Sequence, residues 1–66
     1  MKNRLKVARA EMDITQEELA KLVGVSRQSI NAIESGRYVP STILALKMAQ
    51  VFGKSVEEVF MLEETD

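Results

Sequence analysis

The feature that most constrains this chain is the placement of its three glycines, each of which directly follows a stretch with helical apolar spacing. They are Gly24, Gly36 and Gly53. Glycine adopts the left-handed conformation after a helix without steric cost, so each one marks a helix end. Hydroxyl residues mark the starts, through capping boxes at Thr15 and Ser55 and simple N-caps at Ser26 and Ser41. Together these signals predict five short helices, at about residues 2–12, 16–23, 27–35, 42–52 and 56–61.

The apolar positions between these signals favour an all-α fold. No stretch alternates apolar and polar residues beside a hairpin turn, so we expect little or no sheet. Ile14 and Val25 are expected to pack as staple residues beside helix caps. The helical spacing predicts the following buried positions: Leu5, Ala8, Met12, Leu19, Ala20, Val23, Ile30, Ile33, Leu44, Ala45, Met48, Ala49, Phe52, Val56, Val59 and Phe60.

The length of 66 residues allows a single domain, over residues 1–66, near the lower limit for a self-sufficient core. Such domains often need a disulfide, a metal or a partner subunit. The chain has no Cys and no His, which excludes disulfides, zinc sites built from those residues and an imidazole catalyst. We therefore expect no metal, no cofactor and no enzyme activity, and oligomerisation is the route to stability left open. Without a signal peptide or a membrane-spanning apolar run, the expected location is the cytoplasm.

The net charge of −1 conceals a division along the chain. Residues 1–56 contain all nine basic residues and five acidic ones, whereas residues 57–66 contain five acidic residues and no basic one. A basic body is typical of domains that bind a polyanion. A solubilising acidic tail on an ordinary domain has the same pattern, so charge alone does not decide between the two interpretations.

Residues 16–35 have the spacing of a helix-turn-helix. The two helices of this motif cross steeply, which requires a small residue at their contact and a glycine in the turn. Ala20 and Gly24 meet these requirements, with Gly24 inside the connection LVGVS. The apolar offsets around them are occupied by Leu19, Val23, Val25, Ile30 and Ile33. This combination favours DNA-binding geometry over a purely structural helical hairpin.

The segment TQEELAKLVGVSRQSINAIESGRYVPS, residues 15–41, resembles the phage-repressor-like helix-turn-helix domains of the Cro or xenobiotic-response-element (XRE) class. The resemblance extends through the flanking LKVARAEMDI and LALKMAQVFGKSVEEVF, to about residues 3–60. It implies a five-helix, lambda-repressor-like bundle in which the second and third helices form the motif. It also implies a third helix in the DNA major groove, usually within a symmetric dimer on a palindromic operator.

The polar side of the predicted third helix supplies the candidate base contacts, and residues on and around it supply the candidate backbone contacts. Arg suits guanine O6 and N7, and Gln suits adenine N6 and N7, in the major groove. Plain solvation is the alternative for both side chains. The candidate base contacts are Arg27, Gln28, Asn31 and Ala32. The resemblance assigns contacts with the DNA backbone to Gln16, Ser29 and Ser35. In the loop after the third helix, Arg37 and Tyr38 are further candidate backbone contacts. A role as a half-buried loop anchor is equally consistent with Tyr38.

The resemblance further implies an ion pair between Arg9, late in the first helix, and Glu34, which ends the third. A bidentate pair would tie the recognition helix to the rest of the domain; the alternative is that both side chains are exposed. Two positions depart from the family pattern. Asp13 replaces a common glycine and still tolerates a left-handed turn, while Ser35 replaces a common Asn, which weakens the phosphate contact assigned there.

The acidic segment at about residues 57–66 contains apolar residues that the last helix does not need. Met61 and Leu62 follow Phe60 without a helical face to join. On so small a domain this indicates an interface, and we expect a homodimer contact involving Phe60, Met61 and Leu62. Frayed terminal residues are the alternative.

The expected function is sequence-specific binding of double-stranded DNA by a transcriptional regulator. A repressor is expected because the chain has no effector or activation domain, and no membrane or small-molecule effector is evident as a partner. The alternative is an antitoxin-type protein-interaction module that autoregulates its operon. Only about six residues follow the last predicted helix, which is short for an extension that wraps a toxin.

Overall fold

The computed structural model describes all 66 residues and places five short helices around one apolar core. An antiparallel sheet of two strands joins the two ends of the chain. No helix combines the length and the apolar content that a membrane span requires. In chain order the elements are β1 (Lys2–Asn3), α1 (Leu5–Met12), α2 (Gln16–Val23), α3 (Arg27–Glu34), α4 (Thr42–Phe52), α5 (Val56–Val59) and β2 (Phe60–Met61).

Side-chain caps begin four of the five helices, as the hydroxyl positions predict. The Thr15 hydroxyl accepts from the Glu18 N–H at 3.0 Å, and the Glu18 carboxylate accepts from the Thr15 N–H at 3.0 Å. The bond from the Thr15 backbone N–H holds the pKa of Glu18 below its ordinary value. A second capping box begins at Ser55, while Ser26 and Ser41 are simple N-caps. The helix starts are therefore determined locally.

Left-handed residues follow the first four helices, within one or two residues of the helix end. All three glycines have positive φ angles, as expected. Gly24 has a φ of 77°, and its N–H donates to the Ala20 carbonyl at 2.8 Å, which closes α2. Asp13, with a φ of 55°, closes α1 in the same conformation. Aspartate tolerates this region better than most side chains, so the departure from glycine leaves the fold unchanged.

Most of the predicted apolar positions form the core. Five of them, Ile14, Val25, Ala45, Phe52 and Val56, are only partly buried and pack against its margin. Met12 is a correction, because it is exposed in the last turn of α1, where the chain turns away at Asp13. The buried apolar residues are Leu5, Ala8, Leu19, Ala20, Val23, Ile30, Ile33, Leu44, Met48, Ala49, Val59 and Phe60.

The two ends of the chain form strands where helix was predicted. The first helix begins at Leu5 rather than near residue 2, and the last ends at Val59 rather than near residue 61. Lys2–Asn3 pairs in antiparallel register with Phe60–Met61. The Asn3 amide also donates to the Ile33 carbonyl at 2.8 Å, which attaches this strand to the end of α3. Local helical spacing does not reveal a partner at the opposite end of the chain.

Candidate nucleic-acid interface

Helices α2 and α3 pack against each other through their apolar sides and leave the polar side of α3 in solvent. Ile30 and Ile33 of α3 are fully buried in the core with Leu19 and Ala20 of α2. The turn between the helices is closed by two bonds, because the N–H groups of Gly24 and the residue after it both donate to the Ala20 carbonyl. The buried side therefore fixes α3, and its exposed side is free to meet a ligand.

A depression with a volume of about 630 Å³ runs along the exposed side of α3. Its lining contains two guanidinium groups, three side-chain amides and no carboxylate. Such a surface combines positive charge with hydrogen-bonding groups of both polarities, as binding to phosphates and base edges requires. The lining residues are Gln16, Arg27, Gln28, Asn31, Ala32 and Arg37. All four candidate base contacts and two of the five candidate backbone contacts are thus brought together.

Gln16, in the first turn of α2, bridges to α3. Its amide nitrogen Nε2 donates to Asn31 Oδ1 and to Glu34 Oε1, each at 3.2 Å. Because an NH2 group carries two hydrogens, both bonds form at once. Gln16 therefore connects the two helices of the motif in addition to lining the depression.

Arg9 and Glu34 form a bidentate ion pair beneath this bridge. Arg9 Nε donates to Glu34 Oε2, and Arg9 Nη2 donates to Glu34 Oε1 at 3.1 Å. A third bond runs from Arg9 Nη1 to the Ile14 carbonyl at 2.9 Å. The hydrogen bond to Glu34 raises the pKa of Arg9 above its ordinary value. The two side chains are 15% and 6% exposed, so the pair ties the end of α3 to α1 away from bulk water.

The other candidate backbone contacts lie around the depression rather than in it. Ser29 is half-buried, and its hydroxyl pairs with that of Ser26 at 3.0 Å. The Ser35 hydroxyl donates to the Ala32 carbonyl at 3.1 Å and accepts from Arg37 Nε at 3.0 Å. Ser35 thus orients an arginine that lines the depression.

Tyr38 is exposed in the loop after α3. Its backbone N–H donates to the Ala32 carbonyl at 3.2 Å, so its main chain is held to α3 while its ring remains accessible. Tyr38 is therefore not a half-buried loop anchor, because its side chain is exposed.

The three residues expected at a dimer contact do not form one exposed patch. The Phe60 side chain is only 6% exposed and belongs to the core, so it is not available to a partner. This corrects its assignment, and the reason is that β2 pairs with β1 and directs Phe60 inward. Met61 is half-buried, whereas Leu62 is 81% exposed.

A second apolar surface, which sequence reasoning missed, lies on α4 and the loop before it. Val39, Ile43 and Leu46 are 61%, 68% and 51% exposed. The signal was present in the sequence, because α4 carries apolar residues on almost every side and Lys47 is its only charge. A helix that is apolar all round is ordinarily covered on all sides.

A protein-family model described as helix-turn-helix matches residues 5–59. The chain belongs to this helix-turn-helix family. The match spans all five helices and confirms the resemblance to the Cro/XRE class. The members are transcriptional regulators that bind DNA, and this chain is accordingly a DNA-binding regulator of the helix-turn-helix type.

Several relatives in the helix-turn-helix family match nearly the whole chain. A protein of Methanocaldococcus jannaschii named as an uncharacterized HTH-type transcriptional regulator is 53% identical over 66 residues, 100% of each chain. YgzD of Bacillus subtilis, named in the same way, is 52% identical over 64 residues, 97% of each chain. The ImmF control region 10 kDa protein of Bacillus phage phi105 is 36% identical over 59 residues, 89% of this chain and 66% of the phage protein.

Proposed function

We propose that this protein is a repressor that binds a palindromic operator as a homodimer, with α3 of each copy in the major groove. The observation that carries the proposal is the depression along α3, which contains Arg27, Gln28 and Asn31 and no carboxylate. The base contacts are Arg27, Gln28, Asn31 and Ala32. The backbone contacts come from the remaining polar residues around it: Gln16, Ser29, Ser35, Arg37 and Tyr38.

The dimensions of the domain suit such a dimer. Two recognition helices in successive major grooves lie about 34 Å apart, one turn of B-DNA. The longest dimension of the domain is 31 Å. Two copies in direct contact can therefore span one turn of DNA without an intervening linker. Repression then follows from occupancy of the operator.

Pairing of the copies requires a covered apolar surface. A stable interface buries about 800 Å² on each partner. The two remaining residues of the tail contact, Met61 and Leu62, are too few to supply this area alone. We assign the larger part to the α4 surface, formed by Val39, Ile43 and Leu46, with a second copy of the chain as its occupant. This surface begins two residues after Arg37, which lines the depression, so a partner docked there stands beside the DNA-facing side.

Selection of bound sites from random duplex DNA at a stated salt concentration tests the DNA-binding part. The expected result is a palindromic sequence with half-sites one turn apart. Arg27→Ala should then cost about 1–3 kcal/mol and relax the preference at one base pair. Gln16→Ala should weaken binding to every sequence, because a phosphate contact carries no sequence information. Selection of no consensus sequence would refute specific recognition, and an equal loss on all sequences for Arg27→Ala would make Arg27 a phosphate contact.

Sedimentation equilibrium tests the pairing part. Ile43→Glu and Leu62→Glu each place a charge on one of the two apolar surfaces, and Ile43→Glu is expected to shift the dimer toward monomer more strongly. Leu22→Glu is a matched control, because Leu22 is 61% exposed on α2 and belongs to neither surface. A wild-type chain that is monomeric at all concentrations, with or without operator DNA, would refute the dimer.

A further inference from the structure

The side chains of Glu34, Gln16 and Asn31 form a chain of hydrogen bonds, here called the amide relay. The Glu34 carboxylate accepts from Gln16 at 3.2 Å, and the same Gln16 nitrogen donates to Asn31 Oδ1 at 3.2 Å. Glu34 is held from its other side by Arg9. The relay therefore begins at a partly buried ion pair and ends on an exposed side chain of the DNA-facing depression.

The direction of the hydrogen bonds in the relay is determined by its partly buried end, the ion pair. A guanidinium group only donates and an ionised carboxylate only accepts, so the pair of Arg9 and Glu34 has one possible direction. Gln16 must turn its NH2 group toward the carboxylate, because the reverse orientation would place two oxygens against each other. Its second N–H then faces Asn31, whose oxygen must turn toward it for the same reason.

The exposed end of the relay is left with one kind of group. The Asn31 oxygen is engaged by Gln16, whereas the Asn31 amide nitrogen donates to no protein group. Asn31 lines the depression together with Arg27 and Gln28. Its NH2 group is thus the part of the amide that remains for a ligand. The side-chain amide of an isolated asparagine can flip by rotation and present either its oxygen or its NH2 group. The bond from Gln16 to the Asn31 oxygen opposes this flip.

We infer that the amide relay fixes Asn31 as a hydrogen-bond donor toward DNA, so that Asn31 selects an acceptor atom. This inference rests on the proposed function and specifies it further. The acceptor is either a base-edge atom, such as guanine O6 or N7 or thymine O4, or a phosphate oxygen. Gln16 is accordingly a positioning residue for Asn31 as well as a backbone contact. Glu34 influences recognition without touching DNA.

The first measurement identifies the source of the acceptor. The wild-type operator and each of its single-base variants are titrated with wild-type and Asn31→Ala protein by fluorescence anisotropy at one salt concentration. A loss of about three- to tenfold that disappears when one base pair is changed assigns a base-edge acceptor. The same loss on every sequence assigns a phosphate oxygen.

The second measurement tests the donor polarity. Asn31→Asp keeps the shape of the side chain and replaces NH2 by an oxygen that only accepts. Its binding is expected to be at least about tenfold weaker than that of Asn31→Ala, because two acceptors then face each other. Gln50→Glu is the matched control, since it makes the same chemical change at an exposed position outside the depression and measures the effect of one added negative charge. Asn31→Asp that binds as tightly as Asn31→Ala, after this correction, overturns the inference.

The third measurement tests the relay itself by a double-mutant cycle. Gln16→Met removes the NH2 group that orients Asn31. The Asn31 amide can then flip, and its NH2 group faces DNA for only part of the time. The effect of Asn31→Ala on binding should therefore be at most half as large, as a fold-change, in the Gln16→Met protein as in the wild type. Equal effects in both would show that Gln16 does not orient Asn31. A wild-type protein that selects no operator would instead refute the proposed function, so the two failures are distinguishable.

Discussion

Removal of the Arg9 guanidinium should destabilise the domain by about 2–3 kcal/mol. Arg9→Met eliminates three donated hydrogen bonds, two to Glu34 and one to the Ile14 carbonyl. The Glu34 side chain, 6% exposed, then keeps a single donor in Gln16 at 3.2 Å. Breaking a buried ion pair from one side costs about 3–5 kcal/mol. The Arg9 side chain is 15% exposed, so water reaches part of the site and the cost lies at or below the lower end of that range.

The larger part of this cost should come from the carboxylate that is left without its partner. The double variant Arg9→Met with Glu34→Leu removes that carboxylate, and it is expected to recover about half of the stability lost in Arg9→Met. A 66-residue domain has a total stability of only about 3–10 kcal/mol, so the single variant should be close to unfolding. The double variant should be folded but should bind DNA weakly, because the ion pair no longer ties α3 to α1.

Urea unfolding followed by circular dichroism measures these differences. All variants are compared at one protein concentration, because the proposed dimer would make stability depend on concentration. Arg4→Met is the matched control, because Arg4 is exposed and forms no ion pair, and its effect should be within about 0.5 kcal/mol. A cost below about 1 kcal/mol for Arg9→Met would refute the reasoning. The reasoning would also be refuted if the loss in the double variant equalled the sum of the losses in Arg9→Met alone and in Glu34→Leu alone, within about 0.5 kcal/mol.

Three further predictions concern the helix ends and the core. Gly24→Ala should cost about 1–2 kcal/mol in urea unfolding, because residue 24 has a φ of 77° and an added Cβ meets no atom, so only the left-handed backbone opposes it. Backbone N–H donors lower the pKa values of Glu18 and Glu58 in the folded state. The two carboxylates should therefore contribute fully to the free energy of unfolding at pH values above their ordinary pKa of 4.5. This contribution should be lost as the pH falls through their lowered pKa values in the folded state. Substitution of both by Gln should flatten this acid dependence, and an unchanged pH profile of stability would contradict the assignment. Met48→Ala should cost about 2–5 kcal/mol in chemical denaturation, whereas Met12→Ala should change stability by less than about 0.5 kcal/mol, since Met48 is fully buried and Met12 is exposed; similar losses for the two would contradict the core described above.

The helix boundaries within the motif were predictable because their causes are local. A capping hydroxyl bonds to a backbone N–H three residues away, as Thr15 does with Glu18. A left-handed glycine closes the helix just before it, as Gly24 does through Ala20. Neither interaction depends on the rest of the fold. For the same reason the helix-turn-helix motif could be predicted from residue spacing, and the family match over residues 5–59 confirms that prediction.

The candidate interface was only partly predictable. The residue types on α3 indicate contacts for a base edge, and the structure collects Arg27, Gln28 and Asn31 along one depression. The bridge made by Gln16 was not predictable, since its bond partners are 15 and 18 residues away along the chain. The direction of each hydrogen bond in such a network depends on which side chains come into contact. Contacts between residues so far apart cannot be predicted from local sequence patterns.

Local sequence signals are therefore enough to predict the number of helices, their caps and ends within the motif, and the polar composition of the side of α3 that faces solvent. Tertiary structure alone decided that Lys2–Asn3 pairs with β2, that Phe60 enters the core, and that Met12 does not. It also left the α4 surface without a cover in the single chain. The physical reason is range: capping and helical periodicity act over three or four residues, whereas strand pairing and burial depend on which distant surfaces come into contact.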